Sequence, residues 1–320
     1  MHFILFTFYF ILKDMALSTY KFNGETWIDI DNGSPEEIHG VMDSYNIHPF
    51  VAKELTSITP KPRIEIHDKY IYCILHFPAW KHTHSDSNQE IDFIIGRETL
   101  ITARYDTIDA LDKFAKEIEV GEILERYADR VHRHSHILFM TMLRSLYNSL
   151  FEELSYIEDV TKNLTAKIFH GKEKEMVISI SEVSRTLLDF KRTVDLHHEI
   201  LESLHGRGRE IFGNDFAYEM EAIIVDYLKI NTAIKSNLEM LRELRDTNNS
   251  LLTSKQNETV KNLTVVGSII LPLNLIAVIF AMRTENMPLI DNPNGFWIII
   301  VSMFTVMLIT LVYAHHKKLI

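Results

Sequence analysis

The sequence predicts an α+β domain at the N-terminal end, followed by long helices and a hairpin of two transmembrane helices, so most of the chain is expected to be helical. Three observations lead to this fold class. Strand-like runs are confined to the first third of the chain, and helical patterns continue from about residue 107 to the C-terminus. Two uncharged apolar blocks follow residue 262.

The N-terminal domain is assigned to residues 15–130. Runs rich in β-branched and aromatic residues predict strands at 27–30, 64–66, 70–77, 90–96 and 100–105. Ser34, Pro35 and Glu37 supply an N-cap, a proline at the first helical position and an acid in the first turn, so a helix is expected to begin there. The sequence therefore predicts a small α/β domain with a largely antiparallel sheet.

Residues 1–14 are interpreted as a doubtful N-terminal extension. Residues 2–12 are apolar but shorter than the roughly 20 residues that cross a bilayer. They also lack the basic start and the cleavage site of a secretory signal. A sequence more typical of a soluble domain begins at Met15.

Long helices and a stalk are expected in residues 131–262. Helical patterns cover 107–128, 135–169 and 173–204, with breaks at His170-Gly171 and at Gly206-Arg207-Gly208. After Asn214 neither glycine nor proline occurs until Gly267. Such a run predicts one helix much longer than a typical globular helix.

Two uncharged apolar blocks predict the membrane hairpin. Residues 263–282 and 295–314 are each long enough to cross the roughly 30 Å hydrocarbon core as a helix, and the polar segment 283–294 joins them outside the membrane. Lysines lie before the first block and in the basic tail, 315–320, so the positive-inside rule places both termini in the cytoplasm. We expect a multi-pass protein of the plasma membrane, which in a bacterium is the inner membrane.

The acidic charge balance excludes several classes of function. The net charge of -11 argues against binding to nucleic acid, which needs a basic surface, and favours a cytoplasmic domain that attracts cations. The single cysteine, Cys73, excludes an internal disulfide and a CxxC metal site. The chain has neither the GxxxxGK[ST] phosphate-binding motif nor GxSxG, so we expect no enzyme, no ATPase and no cofactor.

One face of the predicted stalk helix carries residues at spacings of mostly three and four. They are Asp246, Asn249, Ser250, Ser254, Asn257, Val260 and Leu263. This face is polar far from the membrane and apolar next to it. It fits either a funnel that narrows to an apolar gate or a solvated stripe beside a coiled-coil seam.

The first membrane block contains Pro272 and Asn274. Proline removes one backbone hydrogen bond and can kink the helix. An amide that faced lipid would be costly, so Asn274 is expected to face protein or water. One hairpin cannot enclose water, so a water-facing Asn274 requires several copies of the chain. In the alternative, Asn274 makes a hydrogen bond across a helix interface.

Several histidines have spacings that metal ligands can also have. The groups are His82, His84 and Asp86; His132, His134 and His136; and His197 with His198. Each group fits either a metal site or ordinary surface histidines, and the second interpretation is favoured because no HExxH motif accompanies them.

Several segments resemble the CorA family of magnesium and cobalt transporters. The stretch LTSKQNETVKNLTVVGSIILPLNLIAVIF is similar to that family's stalk and first membrane helix. IYCILHFPAW followed by EIDFIIGRETLITARYD resembles its paired strands. Further similar elements are Glu285 and Met287-Pro288 in the loop, Gly295-Phe296-Trp297 at the second span, and Lys317-Lys318 in the tail.

The resemblance implies a homopentamer with a cytoplasmic funnel, which passes Mg²⁺, Co²⁺ or Ni²⁺ passively across the membrane and is gated by cation binding in the cytoplasm. The divalent cation is the substrate and a possible regulatory ligand. The first membrane helix lines the pore in this family. By position, the pore-lining residues here would be Asp246, Asn257, Val260, Leu263, Gly267 and Asn274. Val260 and Leu263 would form the apolar constriction, and Asp246 is the candidate metal ligand.

The outer mouth departs from the family pattern. The family ends its first span with Gly-Met-Asn, whereas this chain has Ala281-Met282-Arg283, with Glu285 two residues further on. Arginine is always charged and accepts no hydrogen bond, so a ring of arginines repels a divalent cation unless Glu285 pairs with it. Two alternatives therefore remain: transport of zinc or another divalent cation, and a non-conducting membrane-anchored sensor or subunit.

Overall fold

The computed structural model describes residues 11–14, 16–22, 25–79, 88–119, 135–282 and 293–317. The strands are β1 Ile11–Asp14, β2 Leu17–Phe22, β3 Glu25–Asp31, β4 Arg63–Ile66, β5 Ile71–Pro78, β6 Asn88–Ile95 and β7 Thr99–Arg104. The helices are α1 Pro35–Ser44, α2 Pro49–Glu54, α3 Asp109–Glu119, α4 Ser135–Phe169, α5 Glu173–Asp195, α6 His197–Phe212, α7 Asn214–Ala281 and α8 Gly295–His316. This order confirms the predicted fold class.

The strands form one sheet in the order β1-β2-β3-β7-β6-β5-β4. Every neighbouring pair is antiparallel except β3 and β7, which are parallel at the centre of the sheet. The largely antiparallel sheet expected from the sequence is therefore confirmed. At the start of α1, the Ser34 hydroxyl accepts from the Glu37 backbone, and the Glu37 carboxylate accepts from the Ser34 backbone, as the capping pattern predicts.

Helices cover both faces of the sheet. On one face α1 and α2 contribute to a buried cluster with sheet residues such as Ile30 and Ile101. On the other face the Phe93 ring lies 5.2 Å from that of Phe139 on α4, and the Trp27 ring lies 5.7 Å from that of Phe114 on α3. Both faces are therefore buried, which explains why β5 reads as a continuous apolar run rather than an alternating one.

By its internal contacts the chain divides into two compact units. The first unit consists of the described parts of Met1–His170 and Met176–Leu244, and contains the sheet. The second unit consists of Gly171–Glu175 and the described parts of Arg245–Ile320, and contains both apolar segments. Helix α7 is continuous from Asn214 to Ala281, as the absence of breakers predicts.

The break that the sequence places at Gly206-Arg207-Gly208 is wrong. Helix α6 passes through both glycines to Phe212, and the helix predicted over 173–204 is instead interrupted at Leu196. A Cβ on Gly208 would lie 2.7 Å from Cδ1 of Phe216, a ring that is fully buried. Gly208 is therefore required by packing inside a helix and does not mark a loop.

We predict that Gly208→Ala destabilises the first unit by about 1–3 kcal/mol, because a methyl group must displace the packed Phe216 ring. Gly206→Ala is the matched control. Gly206 is exposed in the same helix with nothing near a Cβ, so alanine there should raise stability by up to about 1 kcal/mol. Urea denaturation of the two full-length variants measures both effects, and equal stabilities would contradict the packing explanation.

Candidate functional site

The six residues proposed from the sequence to line a pore all lie on α7. We call them the pore stripe: Asp246, Asn257, Val260, Leu263, Gly267 and Asn274. Because each residue of a helix turns by about 100°, all six fall within an arc of about 120°. The unbroken helix therefore presents them on one side, and their lining of a pore stays a prediction.

The pore stripe is open in the single chain. The Asp246 side chain is 76% exposed, and Val260 and Leu263 are 60% and 71% exposed. Asn257 and Asn274 are also exposed, and Gly267 is half-buried. Exposed leucine and valine next to exposed polar groups favour a cover, which the described part of the chain does not supply along the stripe.

Asn274 is the polar side chain at the centre of the first apolar segment. Among the described residues its amide has no hydrogen-bond partner, and α8 therefore does not satisfy it within the described hairpin. Nearby hydroxyls differ, since Thr264 and Ser268 donate to carbonyls of their own helix at 2.8 Å. Because lipid offers no hydrogen-bond partner, the amide is expected to face protein or water.

Pro272 lies inside α7 without ending it. Proline has no N–H, so the carbonyl oxygen of Ser268 loses its usual helical donor one turn earlier. Ser268 precedes Asn274 by six residues, which at about 100° per residue places this acceptor about 120° away from Asn274 around the helix. The apolar segment is thus locally more polar than its composition suggests.

Two helices are long and apolar enough to cross a membrane, α7 through its C-terminal part and α8 as a whole. Only 6% of each apolar window is buried within the chain. Phe296 and Trp297 are exposed at the start of α8, and Tyr313 is exposed near its end. Aromatic residues at both ends of an apolar helix are typical of the two membrane–water interfaces.

Residues 23–316 match the family described as CorA-like Mg2+ transporter protein. The chain belongs to this family. It is 23% identical over 297 residues to the cobalt/magnesium transport protein CorA of Thermotoga maritima, covering 92% of this chain and 83% of the relative. It is also 23% identical over 301 residues to CorA of Methanocaldococcus jannaschii, covering 93% and 91%.

The complete structure of the CorA magnesium transporter from Methanocaldococcus jannaschii has the same fold, with a TM-score of 0.82. That likeness covers 97% of this chain and 100% of the other, at 21% sequence identity. Membership of the CorA family makes the two apolar helices transmembrane helices of a membrane protein.

The family signature at the outer mouth is only partly described. Ala281 ends α7, and Met282 follows with 59% of its surface exposed. Arg283 and Glu285, on which selectivity at the mouth would depend, lie outside the described residues. Their pairing stays a prediction.

The histidines of this CorA-family chain are not gathered into a metal site in the described part of the structure, where no group of three or more metal-ligand residues occurs. His82, His84, Asp86, His132 and His134 lie outside the described residues. His136 and His197 are core residues, 3% and 0% exposed, so their interpretation as surface histidines is wrong. His198 is exposed and stacks on Tyr227.

His197 joins three elements of the first unit. Its Nδ1 lies 2.9 Å from the Tyr147 hydroxyl on α4, and its Nε2 lies 2.8 Å from the His76 carbonyl on β5. Because a carbonyl only accepts, Nε2 carries the proton and Nδ1 accepts from Tyr147. Burial lowers the pKa of His197 to about 4, so the ring is neutral at physiological pH.

Acidic side chains of the chain differ in whether they can attract cations. Asp92 is 1% exposed and accepts from the Tyr105 hydroxyl at 2.8 Å. Burial, with a smaller effect of nearby Glu90, raises the pKa of Asp92 well above its usual value. Attraction of cations therefore falls to exposed acids such as Asp246, rather than to the buried ones.

One contact of the second unit had no clear signal in the sequence. Lys255 on α7 pairs with Glu173, next to the break at His170-Gly171. In the sequence Lys255 is only one of the lysines that precede the first apolar block. A glycine after a helix indicated the turn, but nothing in the sequence indicated which lysine the turn would meet.

We predict that the stability of the first unit falls by about 2 kcal/mol between pH 6.5 and pH 5.0 through His197 alone, at about 1.4 kcal/mol per pH unit. Below pH 6.5 the unfolded chain binds a proton at His197 that the folded chain, with its pKa of about 4, does not. Urea denaturation at pH 7.5 and pH 5.0 measures this loss.

His197→Gln should remove that part of the pH dependence, whereas His198→Gln, at the exposed neighbouring position, should keep it. The expectation fails if the two variants lose equal stability on acidification.

Proposed function

We propose that the chain forms a homo-oligomeric pore that carries a divalent metal cation passively across the plasma membrane, with both termini in the cytoplasm. The main support for this proposal is that the Asn274 side chain is exposed within an apolar segment and has no hydrogen-bond partner among the described residues. It lies on the same side of one continuous helix as Asp246 and Asn257. The cobalt and magnesium transport named in the relatives supports the choice of ion.

A ring of Asn274 side chains suits a hydrated cation. Mg²⁺ releases its water slowly and usually keeps several waters, each of which donates hydrogen bonds outward. The Asn274 side-chain carbonyl oxygen accepts such bonds. The membrane potential supplies about 4.6 kcal/mol per 100 mV for a double charge, so the ion needs no chemical fuel.

Val260 and Leu263 form the proposed gate. Both are large, apolar and exposed on the stripe, at the point where α7 changes from polar to apolar. An apolar constriction can close a pore by losing its water rather than by filling it with side chains. Asp246 lies on the cytoplasmic side of this point, and we propose that it binds the regulatory cation.

We propose the oligomer on geometric grounds. A single stripe of about 120° cannot surround water, so several copies must contribute it. Five copies, the number implied by the CorA family, would place one Asn274 each around a common axis. The acidic net charge of -11 per chain then concentrates cations near the cytoplasmic entrance.

We predict that purified protein in lipid vesicles takes up Mg²⁺ or Co²⁺ down its gradient. Asn274→Leu should reduce the uptake rate by about tenfold or more, a barrier increase of about 1.4 kcal/mol, because the ring loses its acceptors. Thr305→Leu on α8 is the matched control, since Thr305 is equally exposed and its hydroxyl bonds its own helix at 2.8 Å. The control should keep the wild-type rate, and equal rates in both variants would contradict the pore assignment.

A second candidate function is motivated by Arg283 at the mouth. Each arginine opposes a unit charge at 4 Å by about 1 kcal/mol in water, and the effect increases with ion charge and the number of subunits. This observation favours a different cation such as zinc, or a non-conducting membrane-anchored sensor or subunit of the same fold. Pairing of Glu285 with Arg283 would leave the magnesium pathway intact.

We predict Mg²⁺ uptake by both wild type and Arg283→Asn, with a faster rate in the variant because the opposing charge is gone. Uptake of Mg²⁺ by the variant alone would favour the non-conducting alternative. Uptake of zinc alone by the wild type would favour the second ion. Light scattering of the protein in detergent gives the subunit number independently, and a monomer would contradict every pore hypothesis.

A further inference from the structure

The loop that joins α4 to α5 is held against α7 in the second unit. The Lys255 ammonium donates to the Glu173 carboxylate at 2.7 Å. The Asn248 amide donates to the Glu173 backbone carbonyl at 3.1 Å. Glu173 is thus held through its side chain and its backbone at the same time, by two residues that lie two helical turns apart on α7.

The contact is shielded from water on the side of the loop. The Glu173 side chain is 7% exposed and Asn248 is 1% exposed. The hydrogen bond from Lys255 lowers the pKa of Glu173, so the carboxylate stays charged. The Lys255 side chain is 54% exposed, so the pair is covered on the side of Glu173 and open to solvent on the side of the lysine.

Gly171 allows the loop to reach this position. It has a φ of +89°, which side-chain-bearing residues rarely adopt, and its Cβ position would lie 3.7 Å from the Lys255 ammonium. The glycine therefore provides the turn, and a Cβ there would make only an ordinary contact with the lysine.

The loop meets α7 outside the arc of the pore stripe, with Lys255 about 80° and Asn248 about 60° from Leu263 at the edge of that arc. Lys255 follows Asp246 by nine residues, which at about 100° per residue places it about 180° away around the helix. Asn248 lies about 20° from Lys255 around the helix, and this part of the helix surface is called the rear of α7. The stripe and the residues that contact the loop thus lie on different parts of the helix surface. Lys255 contacts the loop eight residues before Leu263.

We propose that Glu173, Lys255 and Asn248 form a clasp through which the α4–α5 loop controls the position of α7 next to the gate. This inference rests on the proposed pore function. The loop is covalently continuous with both α4 and α5, so movement of those helices is passed through the clasp to the rear of α7. Lys255 and Glu173 are positioning residues, since neither lies on the stripe.

Breaking the clasp should uncouple uptake from the cytoplasmic cation. In vesicles loaded with low or high internal Mg²⁺, we expect the wild type to take up Co²⁺ faster at low internal Mg²⁺. Glu173→Gln and Lys255→Met should reduce the ratio of the uptake rate at low internal Mg²⁺ to the rate at high internal Mg²⁺. We expect a reduction of about fivefold or more, the lower end of ordinary coupling between two sites. The exchanged pair Glu173→Lys with Lys255→Glu should recover part of the ratio, which a merely structural role would not require.

Glu175→Gln is the matched control. Glu175 is exposed, lies in the first turn of α5 two residues after Glu173, and has no ion pair among the described residues. This variant should keep the wild-type ratio. An unchanged ratio in Glu173→Gln, or an equal loss in Glu175→Gln, would overturn the clasp.

A cross-link separates failure of the clasp from failure of the pore. Cys73 is buried, so cysteines introduced at Glu173 and Lys255 in the full chain can be joined selectively by a short bifunctional thiol reagent. We expect an internal cross-link, seen as a mass increase without a dimer. No cross-link would overturn the clasp itself, whereas a cross-link in a protein without any uptake would reject the proposed function and with it the role of the clasp.

Discussion

A polar side chain within a bilayer is stable only where protein or water meets it, and Asn274 imposes that requirement on this chain. Its amide is exposed on a helix whose own hairpin partner does not bond it in the described structure. Because lipid cannot satisfy the amide, this side of α7 is expected to meet protein or water. Val260 and Leu263 are also exposed, and burial of these apolar side chains away from water would be favourable. One side of α7 thus carries an amide that needs a polar partner and apolar side chains that favour removal from water.

In the first unit, polar side chains are buried in the protein core and make hydrogen bonds with one another there. Arg104 lies against Asp29, whose carboxylate also accepts from Thr102 at 2.7 Å, and Thr102 in turn accepts from the Trp27 indole. Burial raises the pKa of Asp29, and the charge of Arg104 acts against that rise. Such networks fix the centre of the sheet at the parallel pair β3 and β7, but they contribute little charge toward the outside.

Much of the fold could be read from the sequence, because its signals are local. The uncharged blocks, the breaker-free run after Asn214 and the Ser34 cap each depend on neighbouring residues only. The failures are long-range. Gly208 has the appearance of a loop glycine until the Phe216 ring is seen against it, and His197 has the appearance of a surface residue until its bonds to Tyr147 and His76 are seen. The partner of Glu173 is 82 residues away, beyond any pattern of spacing.

The continuity of α7 has a mechanical consequence. Between Asp246 and Asn274 the helix extends about 40 Å with no glycine hinge that bends it, and Pro272 does not interrupt it. Such a rod resists twisting within itself, so a small turn about its long axis reorients every residue of the stripe in the same sense and at the same moment. In the proposed pore, the acidic, apolar and amide side chains of the stripe would then turn toward or away from the pore axis together rather than one after another.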